Sequence, residues 1–571
     1  MPPSRHKVCG TKKHSRTFTK KVRALALSVL LGSTCSLIAQ EPAGLTNYYV
    51  NNVNGNDSND GLTTQTAWRS LNKVNQFNFS SPSAVLLYGS QIFQTMLIGK
   101  LNLQYVGSYG PTGSCSWNNG SPSCVNRPII DPTKSIPSAS WQSVDGATYK
   151  APFPSIAYKV FVDGAYAPTT PLQPPTNGSP SGVMQQAGTM ISDGTFIYVH
   201  LSDNSSPANH DIRIASSDMP YGIITGEAGN VTIDGLVVAH APVAGIAILN
   251  PDNSPGHATG GNVTVENSAI YNSGSTVYNN GTLEPLTDPQ TFAKTDANIA
   301  VIPAAAGQAM IHNILIMQAM IGRLDVPSNT NNYDGAGISL KDTYQAYLQN
   351  VQIATVNGWG LSVDDYYSTS EDCQGLTVQT LEVTNSEGNI RIAGCSTVSV
   401  TDATVHDSKG NGFQLQPGHN HAANYITLTT PTIHDLTSAY SGLLYNGIDT
   451  NWAKHLTVNN ATIYKVAESS ITLEDDGVGE DVASTGFSLN NSNLDASQNR
   501  KANGGACSAT ETCFPLYVRD NALALNDWSV HSLNLTPVAA TMKVARWGAA
   551  SASDPNHDLT QDQFNQAIAG H

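Results

Sequence analysis

The side chains able to do acid–base or cation chemistry are concentrated in six short segments of one type. They read GISLKD from Gly337, GLSVDD from Gly360, NIRIAG from Asn389, GFQLQP from Gly412, GIDTNW from Gly447 and SITLED from Ser470. Apolar and polar residues alternate in each, so the polar ones share a face if the segments are strands. Alignment gives one polar column of Ser339, Ser362, Arg391, Gln414, Asp449 and Thr472. A second runs Lys341, Asp364, Ala393, Gln416, Asn451 and Glu474. Just past the strands lie Asp342, Asp365, Trp452 and Asp475, and the turn after Gln416 carries His419 and His421.

Three kinds of chemistry suit this set. Glycosidic hydrolysis needs two carboxylates about 5–9.5 Å apart. Asp364 or Asp365 with Asp449, Glu474 or Asp475 supplies them, strands one step apart giving the shorter separation and two steps the longer. β-Elimination from a uronate needs a neutralised carboxylate and a base. Asp342, Asp364 and Asp365 would hold calcium for that reaction, with Arg391 or Lys341 as base. The third reading is a binding surface without catalysis. The catalytic candidates are thus Lys341, Asp364, Asp365, Arg391, His419, Asp449, Glu474 and Asp475, with Gln414, Gln416, Asn451 and Trp452 as ligand-binding residues. No cofactor is required, although calcium is compatible with the set. Each has a plainer reading: Asp342, Asp365 and Asp475 as turn caps, Lys341 with Asp364 as a cross-strand ion pair, and His419 as a loop histidine.

The elements that must position these residues are set by a repeat. The first apolar positions of the six segments are 338, 361, 390, 413, 448 and 471, in steps of 23, 29, 23, 35 and 23 residues. A second segment type precedes them, at 263–270, 348–353, 376–383, 398–405, 456–463 and 487–494. It alternates on both sides of a two-residue polar corner, which describes two short strands meeting at a sharp bend. Asn267, Asn350, Asp402, Asn460 and Asn491 stand at that corner, where Asn and Asp tolerate the left-handed backbone. Stacked, they predict a ladder of hydrogen-bonded asparagines. Three strands in about 23 residues, repeated with loop insertions, is one coil of a solenoid.

Bulk properties agree. Only 12% of residues are charged and 48 are Gly, a mix suited to many short strands and tight turns. Residues 1–40 carry eight Lys and Arg and no acid, with an apolar run from Ala24 to Leu31, and read as a cleaved secretory signal. The mature chain then has 20 basic against 43 acidic residues, a formal charge of −23. That excludes nucleic acid as a natural partner and disfavours an acidic polymer unless cations bridge it. Six cysteines remain, spaced as three local pairs: Cys115–Cys124, Cys373–Cys395 and Cys507–Cys513. Cys373 and Cys395 each lie three residues before equivalent strand starts. On adjacent coils they are about 4.8 Å apart, within the roughly 4.4–6.8 Å reach of a disulfide.

The expected organisation is a signal over 1–40, a cap and first coil over 41–110, and a β-rich insertion over 111–230. The coil stack follows over 231–540, and a closing cap or tail over 541–571. Thr66–Phe77 reads as a capping helix, with Ala67, Leu71 and Val74 at i, i+4 and i+7, and 559–569 as a short closing helix.

The opening Tyr48-Tyr-Val, Asn54-Gly-Asn-Asp, Asp60-Gly, Ala67-Trp and Leu71, followed by these coils, resembles the bacterial exported right-handed β-helix proteins related to pectate lyases. The resemblance implies an all-β, right-handed parallel β-helix acting on a polysaccharide or oligosaccharide as a glycoside hydrolase or polysaccharide lyase. In lyases of this fold, basic residues on the equivalent strand do the chemistry, which points to Arg391. The polygalacturonase pattern begins at Asn332-Tyr-Asp-Gly, but the next coils offer Asn357-Gly-Trp-Gly and Glu387-Gly-Asn instead of paired acids. The acidic mature chain favours hydrolysis over elimination. A secreted or periplasmic, monomeric protein without a membrane span is expected.

Overall fold

A computed structural model describes residues 43–569 except 119–120, 164–171, 173, 176–177, 249–261, 275, 280–281, 286–296, 302–310, 325–334, 366–372, 419–420, 438–445, 452, 475–485, 502–503, 508–512, 519–528, 540–542 and 548–556. The expected signal segment lies outside the described residues. No helix among them is long and apolar enough to cross a membrane.

The chain forms a right-handed parallel β-helix. Among the described residues two sheets of 22 and 13 strands run along it, parallel except for the antiparallel last pair of the smaller one. The larger contains both strands of the bent segment type, and the smaller contains the six chemistry-bearing segments. Ile338, Leu361, Ile390, Phe413, Ile448 and Ile471 pair in one unbroken register, as the spacing predicts. All six are fully buried, and each such side chain contributes about 1.5–3 kcal/mol on leaving water. One core cluster extends from Tyr48 to Phe564.

The bends are made by left-handed residues, stacked coil on coil. Asn267, Asn350, Asp402, Asn460 and Asn491 have φ of 48, 51, 54, 54 and 49°. Thr380 and Thr430 occupy the same column at 61 and 52°, a conformation β-branched residues adopt only where the ladders on both sides impose it. The asparagine ladder differs from expectation. These interruptions break it, and asparagine pairs form at flanking positions instead: Asn490 donates to Asn459 at 3.0 Å and Asn534 to Asn493 at 2.7 Å. A second left-handed column, Thr355, Asn385, Asp407, Asp435 and Lys465, turns the chain toward the smaller sheet.

Parallel stacking starts at Thr46–Val50, which pairs with Ser83–Tyr88 and, through Leu103–Tyr109, with Thr232–Asp234. Between them, residues from Thr133 to Ser216 build four- and three-stranded antiparallel sheets around Trp141, Phe153, Met190 and Ile197. The capping helix is shorter than its pattern, Leu71–Gln76. Ser70 caps it, and Asp57 accepts the N–H groups of Arg69 and Ser70, so Ala67 stays outside the helix. At the far end a Thr560–Gln563 capping box starts the helix Gln561–Ile568, which buries Phe564 over the last coil.

All three expected disulfides are present. Cys373–Cys395 joins adjacent coils with Cα atoms 4.5 Å apart.

Candidate functional site

The strands Ala336–Lys341, Trp359–Asp364, Gly388–Ala393, Phe413–Gln416, Ile448–Asn451 and Ile471–Glu474 stack in that order. Their register brings Ser339, Ser362, Arg391, Gln414, Asp449 and Thr472 into one column. Lys341, Asp364, Ala393 and Gln416 form the next, and Asn451 pairs with Glu474. The first column continues through Tyr517 to Arg546, beyond the six segments.

The face is not open along its whole length. Ser339, Lys341 and Ser362 are buried at one end, and Thr472 and Arg546 at the other. The half-buried residues between them are Asp364, Arg391, Gln414, Gln416, Asp449 and Asn451. From the strand of Asp364 to that of Asp449 is three steps, about 14 Å at the usual strand spacing. The accessible strip is therefore short.

Within it the polar groups are joined. Arg391 Nη1 donates to Asp364 Oδ2 at 2.9 Å and to Ser362 Oγ at 3.3 Å. With the Gln416 amide turned so that its oxygen faces the guanidinium, that oxygen accepts from Arg391 Nε at 3.0 Å and Nη2 at 2.9 Å. The amides of Gln414 and Gln416 meet at 2.6 Å. Asn446 donates to Asp449 Oδ1 at 2.9 Å and Asn411 to Oδ2 at 3.2 Å. Both amides belong to buried residues just before the strands. Both oxygens of Asp449 therefore act as acceptors, as an ionised carboxylate does.

Asp365, one residue past its strand, is fully buried. Its Oδ2 lies 2.9 Å from His421 Nδ1, and the His421 side chain is 38% exposed. The turn that returns His421 is closed by Gly418 N–H donating to the His421 carbonyl at 2.8 Å. Gly394 and Gly418 lie against the Asp365 carboxyl so closely that a Cβ on either would overlap it.

Several expectations change. The proposed calcium ligands diverge: Asp364 faces Arg391, Asp365 faces His421, and Asp342 sits at a left-handed bend with φ of 46°. Among the described residues no three His, Cys, Asp or Glu side chains converge as a metal site. Arg391 is engaged by Asp364, Ser362 and Gln416, a poor setting for a base. The strands of Asp364 and Asp449 are three steps, about 14 Å, apart, against about 5–9.5 Å between the carboxyls of a hydrolytic pair. Asp449 pairs with Thr472, two residues before Glu474, which puts the Cα atoms of Asp449 and Glu474 about 8 Å apart. His419, Trp452, Asp475 and the side chain of Glu474 lie outside the described residues. Asn411 and Asn446 were not anticipated; their signal is an Asn before the glycine that opens a strand, in Asn411-Gly412 and Asn446-Gly447.

No known protein family matches this chain, and no curated protein does. Solved structures similar to this chain include a complex of XylC with xylose, at 12% identity and TM-score 0.37, covering 85% of this chain and 86% of that one. A glycoside hydrolase matches at 9% identity and TM-score 0.42, covering 86% and 96%. The catalytic domain of a GH87 alpha-1,3-glucanase in complex with nigerose matches at 12% identity and TM-score 0.30, covering 87% and 70%. At this distance the likeness concerns fold, and the roles of individual residues rest on the geometry above.

Proposed function

We propose that this protein is an exported carbohydrate-active enzyme that hydrolyses a neutral glycan, binding a short stretch of it across the strip from Asp364 to Asn451. The observation that carries this reading is the strip's charge. Among its half-buried residues Asp364 and Asp449 stand against Arg391 alone, and Arg391 is already paired with Asp364, which leaves the strip a net negative charge at Asp449. Such a face repels a uronate and offers hydroxyl groups many acceptors. Asp449 is one acid of the pair. Glu474, one strand down and two residues on, is the other, its Cα about 8 Å from that of Asp449. Three disulfides fit folding in an oxidising compartment.

A panel of neutral and uronate oligosaccharides, with and without chelator, tests this. New reducing ends from a neutral substrate are expected, without the unsaturated-uronate absorbance near ~235 nm. Asp449→Asn should lower the rate by about 10²-fold or more while leaving the fold intact. Elimination products, or an unchanged rate in Asp449→Asn, would refute the proposal. Binding without any product would leave a non-catalytic glycan-binding surface.

A further inference from the structure

A second groove lies at the other end of the same strands. It holds about 890 Å³ and runs along the second left-handed column, on the side from which the chain enters the smaller sheet. Asp364 and Asp365 stand where the chain leaves that sheet, so the two features are distinct. The groove crosses six coils, from Thr355 and Asn357 to Arg500 and Lys501, a span of about 24 Å at the usual strand spacing. Its volume falls in the range of ligand sites, about 300–1,000 Å³.

The lining changes character along the axis. At one end are the amides of Asn357 and Asn385 with Thr355 and Ser386. In the middle, Glu387 pairs with Lys409 at 3.3 Å. At the far end Asp435 pairs with Lys465, and beyond it the groove carries Arg500 and Lys501 with no further acid among its lining residues. Leu436, Val466 and Ala467 are buried beneath that end and form an apolar floor. The Lys465 side chain is 51% exposed despite its ion pair, and Arg500 is exposed. Lys409 and Lys465 are paired with Glu387 and Asp435, so Arg500 and Lys501, adjacent on one coil, stand against Asp407 alone among the lining residues. In a chain of formal charge −15 that net positive lining is a local reversal of sign, which concentrates anions there.

We propose that this groove binds an acidic oligosaccharide lengthwise, with its carboxylate or sulfate group over Lys465 and Arg500 and its hydroxyl groups along Asn385 and Asn357. The amide end suits neutral sugar hydroxyls, the apolar floor suits a sugar ring face, and the basic end supplies the anion contact. This site is separate from the hydrolytic strip and does not depend on that activity.

The test is equilibrium binding of labelled hexagalacturonate, a sulfated hexasaccharide, cellohexaose and a polyglutamate of matched charge. Saturable binding of at least one acidic saccharide is expected, with cellohexaose and polyglutamate at least about tenfold weaker. Arg500→Glu and, separately, Lys465→Gln should each weaken acidic-saccharide binding by about tenfold. Arg500→Glu should retain hydrolysis of any neutral substrate found for the wild type. The proposal falls if neither acidic saccharide binds, if polyglutamate binds as well, or if both variants bind like wild type. Which acidic saccharide binds better identifies the anion.

Discussion

Gly418→Ala isolates the contact that buries Asp365. A Cβ at residue 418 would lie 1.9 Å from Asp365 Oδ1 and 2.6 Å from its Cγ. Gly418 is not among the positive-φ glycines, so alanine strains no backbone and the effect is contact alone. The carboxyl has no room to retreat, because Gly394 closes the same space. Overpacking of this kind costs about 1–3 kcal/mol. Displacing the carboxylate from His421 removes part of a charged hydrogen bond, a bond of about 1.5–3 kcal/mol. Together these give about 3 kcal/mol for the single substitution. In an Asp365→Ala background the clashing atoms are absent, and Gly418→Ala should cost less than about 0.5 kcal/mol. The double-mutant cycle should therefore show a coupling of about 2.5 kcal/mol or more.

A coiled repeat need not unfold in one step, so a local readout is preferable to a melting temperature. Gly394 N–H donates to the Gln416 carbonyl at 3.1 Å and Gly418 N–H to that of His421 at 2.8 Å. Native-state hydrogen exchange at these two amides reports the site directly. A loss of about 3 kcal/mol lowers protection by about 100-fold or more. Equal losses in wild-type and Asp365→Ala backgrounds would show that residue 418 acts through something other than the buried carboxyl. No loss at all would refute the packing described.

His406 Nδ1 lies 2.8 Å from Asp407 Oδ2 and its Nε2 3.1 Å from Glu382 Oε1, and the ring stacks on His434 at 5.3 Å. Burial lowers its pKa, but hydrogen bonds to the two carboxylates, aided by their charge, carry it above the usual histidine value. A raised histidine stabilises below its unfolded pKa, near ~6.5, and loses that contribution as pH rises through the folded value. His406→Asn should therefore destabilise more at pH ~5.5 than at pH ~8.5, and equal unfolding shifts at both would count against the assignment. Cys373→Ser with Cys395→Ser opens a loop of separation 22 residues, worth about 3 kcal/mol by chain entropy. A variant whose denaturation midpoint equals that of the wild type verified as oxidised would contradict this.

The coil and its register are legible in the sequence because they follow from local rules applied repeatedly. Alternation places Ile338 to Ile471 inward, and a 23-residue step stacks them. Left-handed corners favour Asn and Asp, and the Cys373–Cys395 bridge follows from that register. What escapes is whatever depends on the contents of another coil. Thr380 and Thr430 sit at a bend that their own preferences oppose, because the paired strands decide it. The burial of Ser339 and Thr472 is set by what packs over the ends of the face, and nothing in their own segments announces it.

Asp364 and Asp365 carry the same argument into the site. They are identical in type and adjacent in the chain, and both qualify as catalytic acids by composition. Strand alternation leaves Asp364 on the accessible face, where Arg391 one strand down claims it. The chain turns at Asp365, whose carboxyl enters a space left open by Gly394 on the next coil and Gly418 on the one after. Either glycine replaced by a residue with a Cβ would evict it. A buried carboxylate without compensation is costly, and His421 reaches it through a turn that the same Gly418 closes. The distinction between the two aspartates thus resides in residues 394, 418 and 421. A reading of each segment by itself assigns them one role, and only the stacked register separates a charge held at the surface from one held inside.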